Sequence, residues 1–219
     1  MSLNLSKRIL TAFFLSIMLL TGLFFNKYIW FVLLISASII SFYEFDLLTK
    51  KIFKNQNMKI FFINILSFSY LVIFVYVGYQ FYNSSFVYLI FSLLIGICSD
   101  TGGYIVGNFI GGKKLTKISP NKTISGSVGS FLFSLFSIVI LISFFEIDLI
   151  QKPIIELVFI CLFLSLICQL GDLLISFFKR KANVKDTGTI LPGHGGLLDR
   201  IDGIIFVLPA AFVLDILTS

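Results

Sequence analysis

Polar residues crowd into residues 179–202 of an otherwise apolar chain. This segment holds the single histidine, His194, between glycines, and two carboxylates three residues apart, Asp199 and Asp202. Carboxylates bind divalent cations such as Mg²⁺, basic side chains neutralise phosphates, and glycines let backbone N–H groups approach an anion. The combination predicts phosphoryl-transfer chemistry, although a helix dipole alone would account for the two carboxylates. The other candidates in the segment are Lys179, Arg180, Lys185, Asp186, Gly195, Gly196 and Arg200.

Two further carboxylates, Asp100 and Asp172, lie inside long apolar runs, where a charge is costly and usually functional. Asp172 forms a polar stripe with Gln169, Ser176 and Lys179, because spacings of three and four residues share one helix face. Two interpretations of Asp172 stay open. It belongs either to a metal or substrate site, or to a structural ion pair with a lysine or arginine of a neighbouring helix.

A second hydrophilic segment, KKLTKISPNKTISGSVGS at 113–130, precedes and enters a predicted helix. Ser119, Lys122 and Thr123 lie just before that helix, whose first N–H groups are suited to binding a phosphate. The spacing of a Walker A phosphate loop is absent. The first three lysines of the segment are explained more simply as a topology signal beneath a membrane.

The composition predicts how these residues are positioned. Hydrophobic residues make up 58% of the 219 residues, charged residues 13%, and the mean hydropathy is +1.02. Soluble domains are about 45–50% apolar and about 25% charged, so a soluble or disordered chain is excluded. We predict an all-α, polytopic membrane bundle with its N-terminus in the cytoplasm. The seven predicted spans are 9–25, 28–45, 60–80, 86–107, 128–145, 154–178 and 201–217.

The basic residues predict the orientation of these spans. With the N-terminus in the cytoplasm, only Lys27 and Lys152 of the 17 lysines and arginines lie outside, as the positive-inside rule requires. The net charge of +6 is therefore a topology signal, and we expect no nucleic-acid partner. We predict an integral protein of a bacterial inner membrane with its active site on the cytoplasmic side. The predicted organisation is one membrane domain, 1–219, with N-terminal spans in 1–95, a catalytic part in 96–219, and cytoplasmic loops 108–127 and 179–200.

Residues 176–202 read SFFKR, then KDTG, then LPGHGGLLDRID. Over these 27 residues the chain closely resembles the signature of the phosphatidate cytidylyltransferases, also called CDP-diacylglycerol synthases. SDTGGY at 99–104, SPNKT at 119–123 and QLGD at 169–172 look like the same family. Family members are often longer toward the N-terminus, so the resemblance implies a short version.

The resemblance implies that CTP and phosphatidate react to give CDP-diacylglycerol and pyrophosphate at a Mg²⁺-dependent site, with a second cation left open. One departure is Ser125, which stands where the family usually has an acidic residue. The metal-ligand candidates are Asp172 and Asp199, with Asp100 and Asp202 as weaker ones. The catalytic candidates are Lys185, Asp186, His194 and Arg200. The substrate-binding candidates are Ser119, Lys122, Thr123, Lys179, Arg180, Gly195 and Gly196.

Two other functions and two packing arrangements remain open. A CTP-dependent kinase of a polyprenol-type lipid alcohol resembles the same wider superfamily. A small transporter would use Asp100 and Asp172 to line a pathway, although the polar residues crowd one membrane edge. Gly103, Gly107 and Gly111 form a small-residue stripe on one helix face. Such a stripe serves packing within the bundle or a homodimer interface equally well.

Overall fold

The computed structural model describes residues 3–116, 118–119, 121–145 and 152–218, and side chains from residue 9 to residue 217. Within those ranges the chain is helical and contains no β-strand. The predictions that involve Lys117 and Pro120, and most of the predicted loop before the sixth span, lie outside the described residues. The helices are α1 Leu3–Phe24, α2 Lys27–Ile52, α3 Asn57–Ser84, α4 Phe86–Ile110, α5 Ile124–Ser134, α6 Phe136–Phe144, α7 Ile154–Lys181, α8 Leu198–Ile201 and α9 Ile204–Thr218.

Every predicted span contains a helix, and the prediction of an all-α membrane protein is confirmed. Among the described residues, five helical stretches are long and apolar enough to cross a membrane. The first and last predicted spans are not among these five: the part of α1 with described side chains is Ile9–Phe24, and α9 has 15 residues. Fifteen residues of helix extend about 22 Å, against a hydrocarbon core of about 30 Å. The five stretches are Lys27–Ile52, Asn57–Ser84, Phe86–Ile110, Ile124–Phe144 and Ile154–Lys181.

The fifth predicted span is two helices, α5 and α6, separated at Leu135. Ser134 Oγ donates to the carbonyl of Phe131 at 2.7 Å, and Ser137 Oγ donates to the carbonyl of Ser134 at 2.5 Å. Serine hydroxyls that bond to the preceding turn compete with the helical ladder and bend helices. These two bonds explain a break that the apolar run did not predict.

The described residues form two compact units, each built from two parts of the chain. The first unit comprises the residues up to Asn83 together with Phe178–Ile201. Its helices are joined by buried polar contacts: Trp30 Nε1 donates to the carbonyl of Gly78 at 2.9 Å, and the Tyr82 hydroxyl donates to that of Leu23 at 3.1 Å. Inside an apolar bundle these bonds satisfy groups that would otherwise be costly to bury.

The second unit comprises the described residues of Ser84–Phe177 and Asp202–Ser219. Here α4 and α5 approach closely because glycines line their contact. A Cβ on Gly103 would lie 2.6 Å from Ser130 Oγ, and one on Gly107 would lie 3.2 Å from Thr123 Oγ1. The predicted packing role of the stripe is confirmed at these two positions. Gly111 instead ends α4 with a φ of 63° and has open space beside it.

Candidate active site

The last turn of α7 carries Lys179 and is anchored in the first unit by an aromatic contact. The ring of Phe178 packs edge-on against Phe45 of α2, with centroids 5.0 Å apart. The helix then ends because Asn183 adopts a left-handed φ of 53° and Val184 N bonds back to the carbonyl of Lys179 at 3.0 Å. This turn directs the chain into the loop that leads to α8.

Asp199 of α8 organises that loop. Lys179 Nζ donates to its Oδ1 at 2.7 Å, and the side chains of the two residues are only 13% and 7% exposed. Its Oδ2 accepts from Thr187 N at 2.8 Å and Gly196 N at 3.1 Å, and it lies 3.0 Å from Thr187 Oγ1. Bonds to a carboxylate are among the strongest hydrogen bonds in proteins. Asp199 therefore fixes the two ends of the loop to each other and to α7.

His194 lies in a tight turn that is pinned to α1. Leu191 and Gly195 form an isolated bridge, which requires φ values of 78° at Gly193 and 86° at Gly195. The hydroxyl of Thr11 contacts His194 Nδ1 and donates to the carbonyl of Pro192 at 3.3 Å. These contacts hold the turn and the imidazole ring of His194 against α1.

The remaining basic candidates of this unit are accessible to a soluble anion. Arg180, Lys185 and Arg200 are exposed, as is Asp186. Arg200 Nη2 donates to the carbonyl of His194 at 2.7 Å, which holds the guanidinium beside the glycine turn. The exposed charges and the buried Asp199 network thus lie on this loop and on the ends of α7 and α8 that flank it.

A separate cluster in the second unit joins three of the sequence stretches. Lys122, in the loop before α5, forms an ion pair with Asp172 of α7, and each side chain is about one quarter exposed. Asp100 of α4 interacts electrostatically with both residues, and it accepts a hydrogen bond from Cys168 Sγ at 3.6 Å. Ser176 Oγ donates to Asp172 Oδ1 at 3.3 Å. The structural ion pair left open by the sequence is therefore present, with a loop lysine as the partner.

Thr123 and Ser125 fasten the loop that carries Lys122. Thr123 is the N-cap of α5, since its Oγ1 accepts from Gly126 N at 3.0 Å. Ser125 Oγ contacts Thr123 Oγ1 at 2.9 Å and donates to the carbonyl of Gly111. Ser125 thus has structural contacts to the N-cap of α5 and to the end of α4. Ser119, also predicted to bind substrate, is buried.

Asp199 and Asp202, expected to share a helix face, lie in different elements. Asp199 belongs to α8, whereas Asp202 lies in the turn between α8 and α9, where it is 6% exposed and its Oδ1 accepts from Gly203 N at 3.0 Å. The helix α8 ends at Ile201 after a single turn, so Asp202 lies outside it.

The predicted Mg²⁺ ligands differ in how well their surroundings suit a cation. Mg²⁺ typically uses one or two carboxylates, completing its shell with water and substrate phosphates. Asp100 and Asp172 offer such a pair, and Asp172 is partly exposed. The oxygens of Asp199 are engaged by Lys179, Thr187 and Gly196. In the part of the chain that the structure describes, no group of three or more acidic, histidine or cysteine side chains is close enough to hold a metal without other ligands.

One buried acid of this region was not predicted. Glu44 of α2 is fully buried and accepts hydrogen bonds from Thr187 Oγ1, Leu197 N and Leu198 N. The available signal was a glutamate inside the second apolar run, where an ionisable residue requires partners. Its partners lie more than 140 positions away, so sequence spacing could not identify them.

Comparison with known proteins identifies the family of this chain. A sequence profile of the cytidylyltransferase family matches residues 6–217. The phosphatidate cytidylyltransferase of Staphylococcus haemolyticus is 44% identical over 128 residues, which cover 58% of this chain and 48% of that protein. That of Bacillus subtilis is 42% identical over 134 residues, with 60% and 48% covered. That of Staphylococcus aureus is 41% identical over 148 residues, with 65% and 56% covered.

The chain spans about half the length of the curated relatives it matches. The profile, in contrast, extends from the first turn of α1 to the last turn of α9 and includes all four sequence stretches that carry the polar clusters. The chain belongs to the cytidylyltransferase family.

Proposed function

We propose that this chain transfers the cytidylyl group of CTP to phosphatidate, giving CDP-diacylglycerol and pyrophosphate for phospholipid synthesis. The observation that carries the proposal is the meeting of Lys122, Asp172 and Asp100, which brings a cation and two carboxylates together inside an apolar chain. Membership of the cytidylyltransferase family and the name carried by the matched relatives support the same reaction.

The membrane arrangement follows from the two substrates. Phosphatidate is anchored in a leaflet, whereas CTP is a soluble polyanion, so the reaction belongs at a membrane edge. We place this edge on the cytoplasmic side of a bacterial inner membrane, with seven spans and a cytoplasmic N-terminus. The distribution of lysine and arginine supports this orientation, since all but Lys27 and Lys152 then lie on the cytoplasmic side.

In the proposed reaction a phosphate oxygen of phosphatidate attacks the α-phosphorus of CTP. A new P–O bond forms, the bond between the α-phosphorus and the bridging oxygen breaks, and pyrophosphate leaves with that electron pair. The nucleophile is already an anion, so no strong general base is required. Positioning and charge neutralisation then supply most of the catalysis. The exposed Arg180, Lys185 and Arg200 are suited to holding phosphates in place.

Asp172 and Asp100 are the residues we propose to hold Mg²⁺, with Asp199 as a further candidate. A bound Mg²⁺ would neutralise negative charge on the substrate phosphates. In the structure Lys122 neutralises Asp172. We propose that the ammonium group of Lys122 leaves Asp172 and pairs with a substrate phosphate when CTP binds. We propose that the imidazole of His194 contacts a substrate phosphate or orients the loop.

Labelled CTP tests the reaction directly. Purified protein is supplied with phosphatidate, Mg²⁺ and CTP labelled at either the α- or the γ-phosphate. Label from the α-phosphate enters the lipid only if the cytidylyl group is transferred. If instead the γ-label enters a polyprenol-type alcohol, the protein is a lipid kinase. Solute uptake into liposomes without nucleotide chemistry would favour the transporter.

A further inference from the structure

Glu44 is a buried acid that the proposed reaction does not use. It lies in the cytoplasmic half of α2 under the predicted orientation, and its exposed fraction is 0%. A carboxylate in such a place is stable only when its lone pairs are occupied by donors. The donors here come from a distant part of the chain, the loop that precedes α8.

Three hydrogen bonds connect Glu44 to that loop. Its Oε2 accepts from Thr187 Oγ1 at 2.8 Å and from Leu198 N at 2.9 Å, and its Oε1 accepts from Leu197 N at 3.0 Å. The bonds therefore hold the loop at two places, at Thr187 and at its junction with α8. Together they span residues 187–198, which include the glycine turn with His194.

The loop backbone is shaped around this carboxylate. A Cβ on Gly188 would lie 2.5 Å from Glu44 Oε1, and a Cβ on Gly196 would lie 2.5 Å from Oε2 and overlap Thr187 Oγ1. Side chains at these two positions would displace the carboxylate. The glycines in the motif are therefore required for the approach of Glu44, and Gly196 has its N–H committed to Asp199.

Thr187 links Glu44 to Asp199. Its hydroxyl lies 2.8 Å from Glu44 Oε2 and 3.0 Å from Asp199 Oδ2, and its backbone N–H donates to that same Asp199 oxygen. Movement of Glu44 therefore displaces a residue that contacts Asp199, which in turn pairs with Lys179.

We propose that Glu44 is a positioning residue, which holds residues 187–198 so that Asp199 keeps its contacts with Lys179. Its effect on turnover rests on the proposed function, whereas its effect on the loop does not. Glu44 acts through Thr187 and the amides of Leu197 and Leu198 and makes no contact with the reacting atoms in this assignment.

Glu44→Gln tests the proposal, because it keeps the size of the side chain and replaces one acceptor oxygen with an NH₂ group that faces a donor. Asp46→Asn is the matched control, since Asp46 lies two residues away on α2 and bonds to Lys50 and Asn64 instead. Hydrogen exchange of the peptide covering 187–198 should become about 10- to 100-fold faster in Glu44→Gln, as expected for one lost charge-assisted bond. The control should exchange as the wild type does.

Turnover provides the second measurement. A misplaced loop should lower kcat by up to about 100-fold in Glu44→Gln. Thr187→Val breaks the same connection from the other side and also serves if Glu44→Gln does not fold. If Glu44 acts through Thr187, the double variant loses no more kcat than the worse single variant. The proposal would be overturned if the kcat losses of the two single variants multiply in the double variant and parallel the decreases in thermal midpoint. That result would show general destabilisation.

The two proposals fail in different ways. A wild-type protein that transfers no cytidylyl group would overturn the proposed function, and the exchange comparison would still test Glu44. Wild-type exchange of 187–198 in both Glu44→Gln and Thr187→Val would overturn the positioning role, whatever the wild-type activity.

Discussion

The ammonium of Lys179 lies 2.7 Å from Oδ1 of Asp199, and both side chains are nearly buried. Lys50 and Asp46 form an ion pair of almost the same length, 2.6 Å, but the Lys50 side chain is 59% exposed. Equal distances do not imply equal contributions, because water screens an exposed pair and a buried charge depends on its partner. The chain thus contains two pairs that differ mainly in burial.

Lys179→Met is expected to lower the free energy of unfolding by about 3–5 kcal/mol, since it leaves the buried carboxylate of Asp199 without its cation. Lys50→Met is the matched control and should change that free energy by no more than about 1 kcal/mol. Thermal unfolding in detergent measures both. Equal midpoint shifts in the two variants would contradict the assignment of Lys179 and Asp199 as a buried structural pair.

Asp172→Asn is expected to reduce cytidylyl transfer by about 100-fold or more while the protein stays folded. The substitution removes the charge that pairs with Lys122 and the proposed cation ligand, and losses of this size accompany the removal of one preorganised electrostatic contact. Asp215→Asn, which alters a carboxylate bonded to Ser85 at 2.7 Å, is the control. Wild-type turnover in Asp172→Asn would remove this residue from the site.

Cation binding is expected to need Asp172 and Asp100 more than Asp199. Mn²⁺, followed by electron paramagnetic resonance, serves as the probe, so the measurement does not depend on activity. Asp172→Asn and Asp100→Asn should each weaken Mn²⁺ binding by at least about tenfold. Asp199→Asn should weaken it less, because its oxygens are engaged by Lys179, Thr187 and Gly196. The reverse order would make Asp199 the principal ligand.

Gly102→Ala is expected to destabilise the second unit by about 1–3 kcal/mol, because a Cβ there would overlap Phe133 and lie 2.5 Å from the carbonyl oxygen of Gly129. Gly107→Ala on the same helix is the comparison. Its Cβ would lie 3.2 Å from Thr123 Oγ1, a contact offset by the higher helix propensity of alanine, about 1 kcal/mol. Thermal midpoints should fall for Gly102→Ala and change little for Gly107→Ala, and the opposite order would contradict the packing of α4 on α5.

The local chemistry of the polar motifs predicted that Asp172 needs a partner, but it did not identify Lys122 as that partner. An acid in an apolar helix needs a partner, and Lys122 stands in a nearby basic loop whose helix start could also be predicted. The sequence could not decide between an ion pair and a metal site, because both require the same carboxylate. Helix positions were equally predictable from apolar runs, except at Leu135, where serine side chains rather than hydropathy set the break.

The role of the glycine-rich loop was harder to predict from the sequence. The glycines around His194 suggested a backbone that approaches a nucleotide, yet Gly196 donates to Asp199 and packs against Glu44. These contacts join α2 to residues far along the chain through backbone amides, which every residue carries and no motif marks. Thr11, which contacts His194 from α1, escaped prediction because it lies 183 positions earlier in the sequence.

The distance in sequence between Glu44 and its partners also has a consequence for biosynthesis. Thr187 follows Glu44 by 143 residues, so at about 5–20 residues per second the ribosome needs about 7–29 s to produce the first donor. During that interval α2 is already made, and its carboxylate must be solvated by water, by lipid headgroups or by other chains. The native hydrogen bonds of Glu44 can therefore form only after residues 187–198 have been made, and until then the nascent α2 depends on its membrane surroundings.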